Sequence, residues 1–273
     1  MTNILVPIDF SDYATNALQV AASIAKQQNA TITVIHMLGI SDGVLASNAI
    51  QEQAEVQYYL AQAKKRFNAY LDKPYLKDLK ITKIIQNYKI FSELNAIALE
   101  QHSDLIVMGS HGASGFNELF IGSNTEKVVR TSDIPVLIIK SPIPNFKIKK
   151  ILFACNFSEE AELAFKNIQT FAEKFSAKLK LIYINTPYNY LSTDETHVLI
   201  SKFMLKALEP MQKVEIYNDY SVEEGLMNYS KKEKFDLIAI ATHGRQGLQH
   251  FFIGSISEDL ANHSNLPILT IKI

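Results

Sequence analysis

The sequence predicts an α/β protein built as two tandem, doubly wound parallel sheets, each covered by helices on both faces. Three observations predict it: the chain repeats itself, strand-like and helix-like segments alternate throughout, and the strand-like segments are short apolar runs of the kind buried in parallel sheets. Sliding the sequence by 147 places ILVPIDFSDYATNA, from Ile4, on ILFACNFSEEAELA, from Ile151. Sliding it by 132 places DLIVMGSHGASGFNELFIGSNTEKVVRTSDIPVLIIK, from Asp104, on DLIAIATHGRQGLQHFFIGSISEDLANHSNLPILTIK, from Asp236, over 37 residues without a gap. Shared glycines, prolines and spacings at both ends mark a duplicated unit. The difference between the offsets makes the middle of the second copy about 15 residues shorter.

In the first copy, Ile4–Ile8 is an apolar run read as a buried strand. Ser11 opens a helix to about Asn29, in which Ala14, Ala17, Ala21, Ala22 and Ala25 give strong helical propensity. The β-branched run Thr31–Met37 is the second strand. Asn48–Asp72 has a helical pattern that stops before Pro74. Lys80–Gln86, Leu105–Met108 and Ile134–Lys140 are the remaining strands, with helices at Phe91–Gln101 and Asn124–Arg130. The second copy repeats the order: strands at Ile151–Cys155, Lys178–Ile184, Val214–Asn218, Leu237–Ile240 and Ile268–Ile273, and helices at Glu159–Phe175, Glu195–Leu208, Val222–Lys231 and Ser257–Ala261. Pro142 and Pro144 disfavour helix and mark the joint. The domains are therefore expected at residues 1–143 and 144–273. Lys147, Lys149 and Lys150 read as a solvated approach to the next strand.

The totals agree with two domains. The chain has 273 residues, 47% hydrophobic and 20% charged, with a formal net charge of -1. That balance carries no basic patch or tail of the kind that marks a nucleic-acid or membrane partner, so neither is expected. A single cysteine, Cys155, excludes an intrachain disulfide, and its place in a strand makes it a buried structural thiol. The N-terminus runs straight into a strand without a signal-peptide pattern, and no apolar stretch approaches the ~20 residues of a membrane helix. A cytoplasmic location is expected.

The chemistry concentrates after the fourth strand. Gly109-Ser110-His111-Gly112 is followed by nine residues and then Gly122-Ser123. Glycines at 109 and 112 can turn sharply and let backbone amides approach a ligand. Gly122 and Ser123 open the next helix, whose unpaired amides and dipole favour an anion. Asp9, at the tip of the first strand, can accept hydrogen bonds from the nucleoside end of a nucleotide. Ser123-x-x-Glu126 and Ser255-x-x-Glu258 also fit a capping box, which explains the serine and glutamate without a ligand but not the upstream glycines. In open α/β sheets ligands lie at the carboxyl ends of the strands, where the strand order reverses.

VPIDFSDYA, DLIVMGSHGASG and the G-x2-G-x9-G-S spacing resemble the universal stress protein family, within the wider adenine-nucleotide α-hydrolase-like group, once in each half. The resemblance implies five-stranded sheets in the order 3-2-1-4-5, pairing through the fifth strand into an intramolecular pseudo-dimer, with a further homodimer open. It implies ATP as the ligand, with a divalent cation (Mg or Mn) held through the phosphates. The contacts it implies are Asp9, Met37 through its backbone, Gly109, Gly112, Gly122, Ser123 and Asn124. Gly115 is left as a turn residue.

The second half departs from this pattern. Asn156 replaces Asp9, Ala154 replaces Pro7 and Ala241 replaces Gly109, while Gly244, Gly254 and Ser255 remain and Ile184 stands where Met37 does. Asn156 loses the charge, and Ala241 adds a Cβ where the backbone needs close approach or a positive φ. Arg245 follows Gly244 and could reach a phosphate. A second site that is weaker or empty follows.

His111 and His243 share one loop position and read as anchors of the loop to backbone, with a phosphate contact as the alternative, and the other histidines form no metal-ligand spacing. Tyr58, Tyr59 and Phe67 read as packing or partner surface. The chain lacks a Walker-type G-x-x-x-x-G-K-[ST] and a G-x-S-x-G elbow, and no catalytic or metal-binding residue is assigned. The expected function is an ATP-binding regulatory or stress-response module. The alternatives are a slow nucleotide hydrolase or transferase of the same fold group, whose HxGH and SGGxDS signatures are absent, and a ligand-free pseudo-dimeric scaffold.

Overall fold

The computed structural model describes residues 1–37, 49–86, 93–111, 122–207, 213–242 and 264–273, without the side chains of 49–56. The first half comprises β1 (Asn3–Ile8), α1 (Asp12–Gln28), β2 (Thr31–Met37), α2 (Ala49–Leu71), β3 (Ile81–Gln86), α3 (Leu94–Glu100), β4 (Leu105–Gly109), α4 (Ser123–Thr131) and β5 (Val136–Ile139). The second half comprises β6 (Lys150–Ala154), α5 (Ala161–Lys174), β7 (Lys178–Asn185), α6 (Thr193–Lys206), β8 (Val214–Asn218), α7 (Val222–Lys232), β9 (Leu237–Thr242) and β10 (Ile268–Lys272). The helix expected over 257–261 lies outside the described residues.

Each half orders its strands 3-2-1-4-5 as expected. The two sheets, however, are one: the order across the molecule is β3-β2-β1-β4-β5-β10-β9-β6-β7-β8. Every pairing within a half is parallel, and the seam is antiparallel, with Leu137 opposite Leu269. Fusing the edges removes two rows of unpaired backbone groups that would otherwise template aggregation.

Alternate residues of each strand enter two cores, one per face. Ile4, Val6 and Ile8 join α1, Phe67 of α2, Phe165 of α5 and Phe203 of α6 on one face. Leu5, Ile106 and Met108 join α3, α4 and α7 on the other. Both cores cross the seam, through Leu137, Ile139, Leu269 and Ile271 on the first face and Val136, Ile138 and Ile268 on the second. The alanines of α1 do more than favour helix. Ala14, Ala17, Ala21, Ala22 and Ala25 are buried, so they form a small-residue face that lets α1 lie close to the sheet.

The joint is anchored. Phe146 and Ile148 are buried, Lys147, Lys149 and Lys150 are exposed, and the Gln27 amide donates to the Phe146 carbonyl at 2.8 Å. Asp104 and Asp236, equivalent residues, accept from the backbone that starts β1 and β6 respectively. Burial works to raise the Asp104 pKa, but bonds from Thr2 and Asn3 and the Lys174 ammonium hold it below its ordinary value.

Candidate functional site

The carboxyl ends of β1, β2 and β4 and the start of α4 meet in the first half. Asp9 follows β1, and the next residue, Phe10, takes a left-handed backbone at φ 66°. The equivalent Phe157 does the same at φ 53°. Such a conformation costs a bulky L-residue about 1–2 kcal/mol, and aromatic packing offsets it. The Phe10 ring lies 4.5 Å from His36 and edge-on to Phe67 and Tyr70, while Phe157 packs on Tyr183 and Phe203. The kink turns the Asp9 side chain back on the loop, where Oδ1 accepts from the Ser11 N–H at 3.0 Å; Asn156 Oδ1 accepts from Ser158 N–H at 3.1 Å. Asn156 therefore keeps the turn-forming role of Asp9 and loses only its charge.

The glycine loop is fastened from both sides. The Gly122 N–H donates to the Ser110 carbonyl at 2.8 Å, and the Thr125 hydroxyl to the Gly109 carbonyl at 2.8 Å. These bonds fix the first turn of α4 over the end of β4 and bring Gly109, Gly122, Ser123 and Asn124 together. Gly112 lies outside the described residues. His111 is buried, its Nδ1 2.9 Å from Ser110 Oγ and its ring 5.0 Å from that of Tyr13, so it anchors the loop through side chains.

Two expectations need correction here. Gly122, not Ser123, is the N-cap of α4; Ser123 is already helical, and the cap residue makes no side-chain bond to the first turn. Glu126 pairs with Arg130 at 2.8 Å instead of reaching back, so the capping box does not form. Second, Gly109 has no positive φ and neither has Ala241, which removes backbone strain as the cost of an alanine there. Gly109 is needed for packing: a Cβ would lie 2.8 Å from the carbonyl carbon and Cβ of Tyr13. In the second half the helix starts two residues later in the aligned register, after a tight turn in which Ala161 N–H donates to the Ser158 carbonyl, and Ala241 is accommodated.

The mouth of the first site carries charge. Arg66 lies 4.6 Å above the Phe10 ring, and His36 Nδ1 is 2.8 Å from the Ile8 carbonyl. Burial, helped by Arg66, holds the His36 pKa below its ordinary value, against the Ile8 carbonyl and Asp9. Met37, half-buried, ends β2 and pairs with Gln86. Among the described residues, no group of three or more His, Cys, Asp or Glu is arranged to hold a metal ion.

The sequence profile of the universal stress protein family matches residues 1–140 and again 147–272. The chain belongs to the universal stress protein family. A universal stress protein of Synechocystis is 22% identical over all of both chains. One from Bacillus subtilis is 30% identical over 50% of this chain and 97% of its own length, as expected for a single-copy relative of a tandem protein. Among solved structures, a universal stress protein from Archaeoglobus fulgidus aligns over 99% of this chain and 98% of its own at 19% identity, with a TM-score of 0.63. That likeness carries the fold. Universal stress proteins are generally not recognised as enzymes. Among the described residues, no helix is long and apolar enough to cross a membrane.

The second copy of the stress-protein unit has a different mouth. Asn156, Ile184 and Ala241 line a cavity of ≈ 550 Å³ at the ends of β6, β7 and β9. Gly244, Arg245, Gly254 and Ser255 lie outside the described residues, as does His243. Cys155, just past β6, also lines this cavity; burial pushes its thiol pKa up to about 12, in keeping with a structural role. Sequence reasoning passed over Tyr188, Tyr190 and Asn185, which shape this cleft. The signal was Tyr-Asn-Tyr behind Pro187, two large aromatics in a segment with no periodicity to bury them.

Proposed function

We propose that this universal stress protein binds ATP, with a divalent cation on the phosphates, through its first half, and acts as a regulatory or stress-response module. The observation that carries the reading is the first turn of α4: its N-cap is a glycine, which has no side chain to cap it, and it is fastened over the end of β4. A helix start with open N–H groups and a positive dipole end fits an anion. In this reading the N–H groups of Ser123 and Asn124 hold phosphate, with Gly112 in the same loop. Asp9 and the Met37 backbone hold the nucleoside end. Gly109 serves indirectly, by letting α1 sit close to β4. ATP brings the charge and the metal-binding oxygens.

Turnover is absent or slow in this reading. Asp9 accepts from the Ser11 N–H, His36 Nδ1 is bonded to the Ile8 carbonyl and His111 is buried, and none of them is assigned a general-base role in this reading. Location in the cytoplasm belongs to the same proposal. Calorimetry with ATP and Mg on wild type and Gly122→Arg tests the site. An arginine side chain over the first turn abolishes binding if phosphate sits there; equal affinity in the two proteins rejects it.

A further inference from the structure

We propose that the two outer edges of the sheet pair with each other between copies of this chain, β3 of one copy against β8 of the next, so that the sheet continues from molecule to molecule. β3 and β8 end the ten-stranded sheet. They are equivalent strands of the two halves, and strand direction reverses at the seam, so they run opposite ways. A second copy added in line with the sheet therefore presents β8 antiparallel to β3, the relation that β10 already has to β5.

The backbone of both edges is set for that pairing. The Ile32 N–H donates to the Lys80 carbonyl, and Ile32 stands opposite Ile81. Bonding groups alternate along a parallel strand, so Ile81, Lys83 and Ile85 turn their N–H and carbonyl groups outwards, away from β2. In β8 the Asp219 N–H donates to the Asn185 carbonyl, which by the same alternation turns Val214, Ile216 and Asn218 outwards. Among the described residues, no backbone bond meets either outward row.

One register matches the rows completely: Ile81 opposite Asn218, Lys83 opposite Ile216 and Ile85 opposite Val214. It also keeps the two faces in line. Ile81, Ile85, Val214 and Ile216 pack against the first core, Ile84 and Tyr217 against the second. Carried past Ile81, the same register sets Lys80 against Asp219 and Leu79 against Tyr220, which is 84% exposed.

Charge selects the partner. Residues 73–83 carry Lys73, Lys77, Lys80 and Lys83, all exposed, against one acid, Asp78. Residues 214–230 carry Glu215, Asp219, Glu223 and Glu224 and no Lys, Arg or His. Lysines commonly guard a bare edge, and β3 against β3 would set Lys83 on Lys83. Beside β8 they meet carboxylates, because antiparallel pairing brings the amino end of β3 to the carboxyl end of β8. A pair of β8 strands would leave the lysine edge bare. The contact is therefore between unlike edges, and such an assembly stays open.

Sedimentation of the full chain tests this over about a hundredfold range of concentration at low ionic strength. The average mass should climb past two chains, and added salt should lower it. Two double variants reverse one edge each: Lys77→Glu with Lys80→Glu, and Glu223→Lys with Glu224→Lys. Each alone should weaken association at least about tenfold through like-charge contact, and an equimolar mixture should restore it. Lys83→Pro, which also removes an outward N–H, should weaken association more than Lys83→Gln. A wild type of constant single-chain mass, or a mass that levels off at two chains, would overturn the proposal. So would either double variant assembling like wild type, a mixture that fails to recover, or equal effects of proline and glutamine at Lys83. None of these outcomes depends on nucleotide binding.

Discussion

Replacing Gly109 by alanine should destabilise the protein strongly, although only one methyl group is added. The new Cβ would stand 2.8 Å from two atoms of Tyr13 and 2.9 Å from its carbonyl oxygen, where ordinary contact begins at 3.4 Å. Two of those atoms belong to the backbone of α1, so no side-chain rotation relieves the clash and the helix itself must retreat. Its alanine face then loses contact along several turns. Overpacking costs typically about 1–3 kcal/mol, and a displaced helix belongs at the upper end. With a urea m-value of about 3 kcal/mol/M, the unfolding midpoint should fall by about 1 M. Urea titrations followed by far-UV circular dichroism read this directly. The reverse change at the equivalent position, Ala241→Gly, should cost less than about 1 kcal/mol, the ordinary penalty of glycine in a strand. A midpoint for Gly109→Ala within about 0.2 M of wild type would refute the packing argument. So would equal shifts at both positions.

Asp9→Asn should leave stability unchanged, since Asn156 makes the same turn bond, but weaken ATP on the order of tenfold through the lost charge; calorimetry and thermal melts separate the two effects. Asp104 has a folded pKa below its ordinary value of 3.8, so the stability it contributes is present above that value and is lost as pH falls through the lowered one. Acid titration of Asp104→Asn should accordingly show less stability lost below pH 3.8 than wild type; an identical acid limb would contradict this. Residues 1–143 alone should give a homodimer or an insoluble product, because β5 would be left as a bare edge; a monomer in sedimentation at high concentration would contradict it. ATP hydrolysis should stay well below about 1 per second; ordinary enzymatic rates abolished by Asp9→Ala would overturn the binding-module reading.

The architecture was legible because duplication and parallel-sheet burial both write themselves into apolar runs at fixed spacing. The single ten-stranded sheet needed the fifth strands to pair antiparallel, and their apolar composition indicated the contact without its register. Gly109 was picked out for its small size, and nothing in the sequence places Tyr13 beneath it. Ser123 was misread because a serine three residues before a glutamate looks the same whether the cap is that serine or the glycine before it. The left-handed Phe10 and Phe157 were invisible, because bulky residues avoid that conformation unless tertiary packing imposes it. Asn185 was missed for the opposite reason: a lone asparagine at a strand end gives no signal until its loop is folded around it.

The central claim is an ATP site in the first half and not an equal one in the second, and nucleotide stoichiometry tests it most directly. Native mass spectrometry of the full chain at saturating ATP and Mg should show one nucleotide per chain, and none in Gly122→Arg. Two equivalent nucleotides in wild type would contradict the asymmetry, and none would contradict the account as a whole.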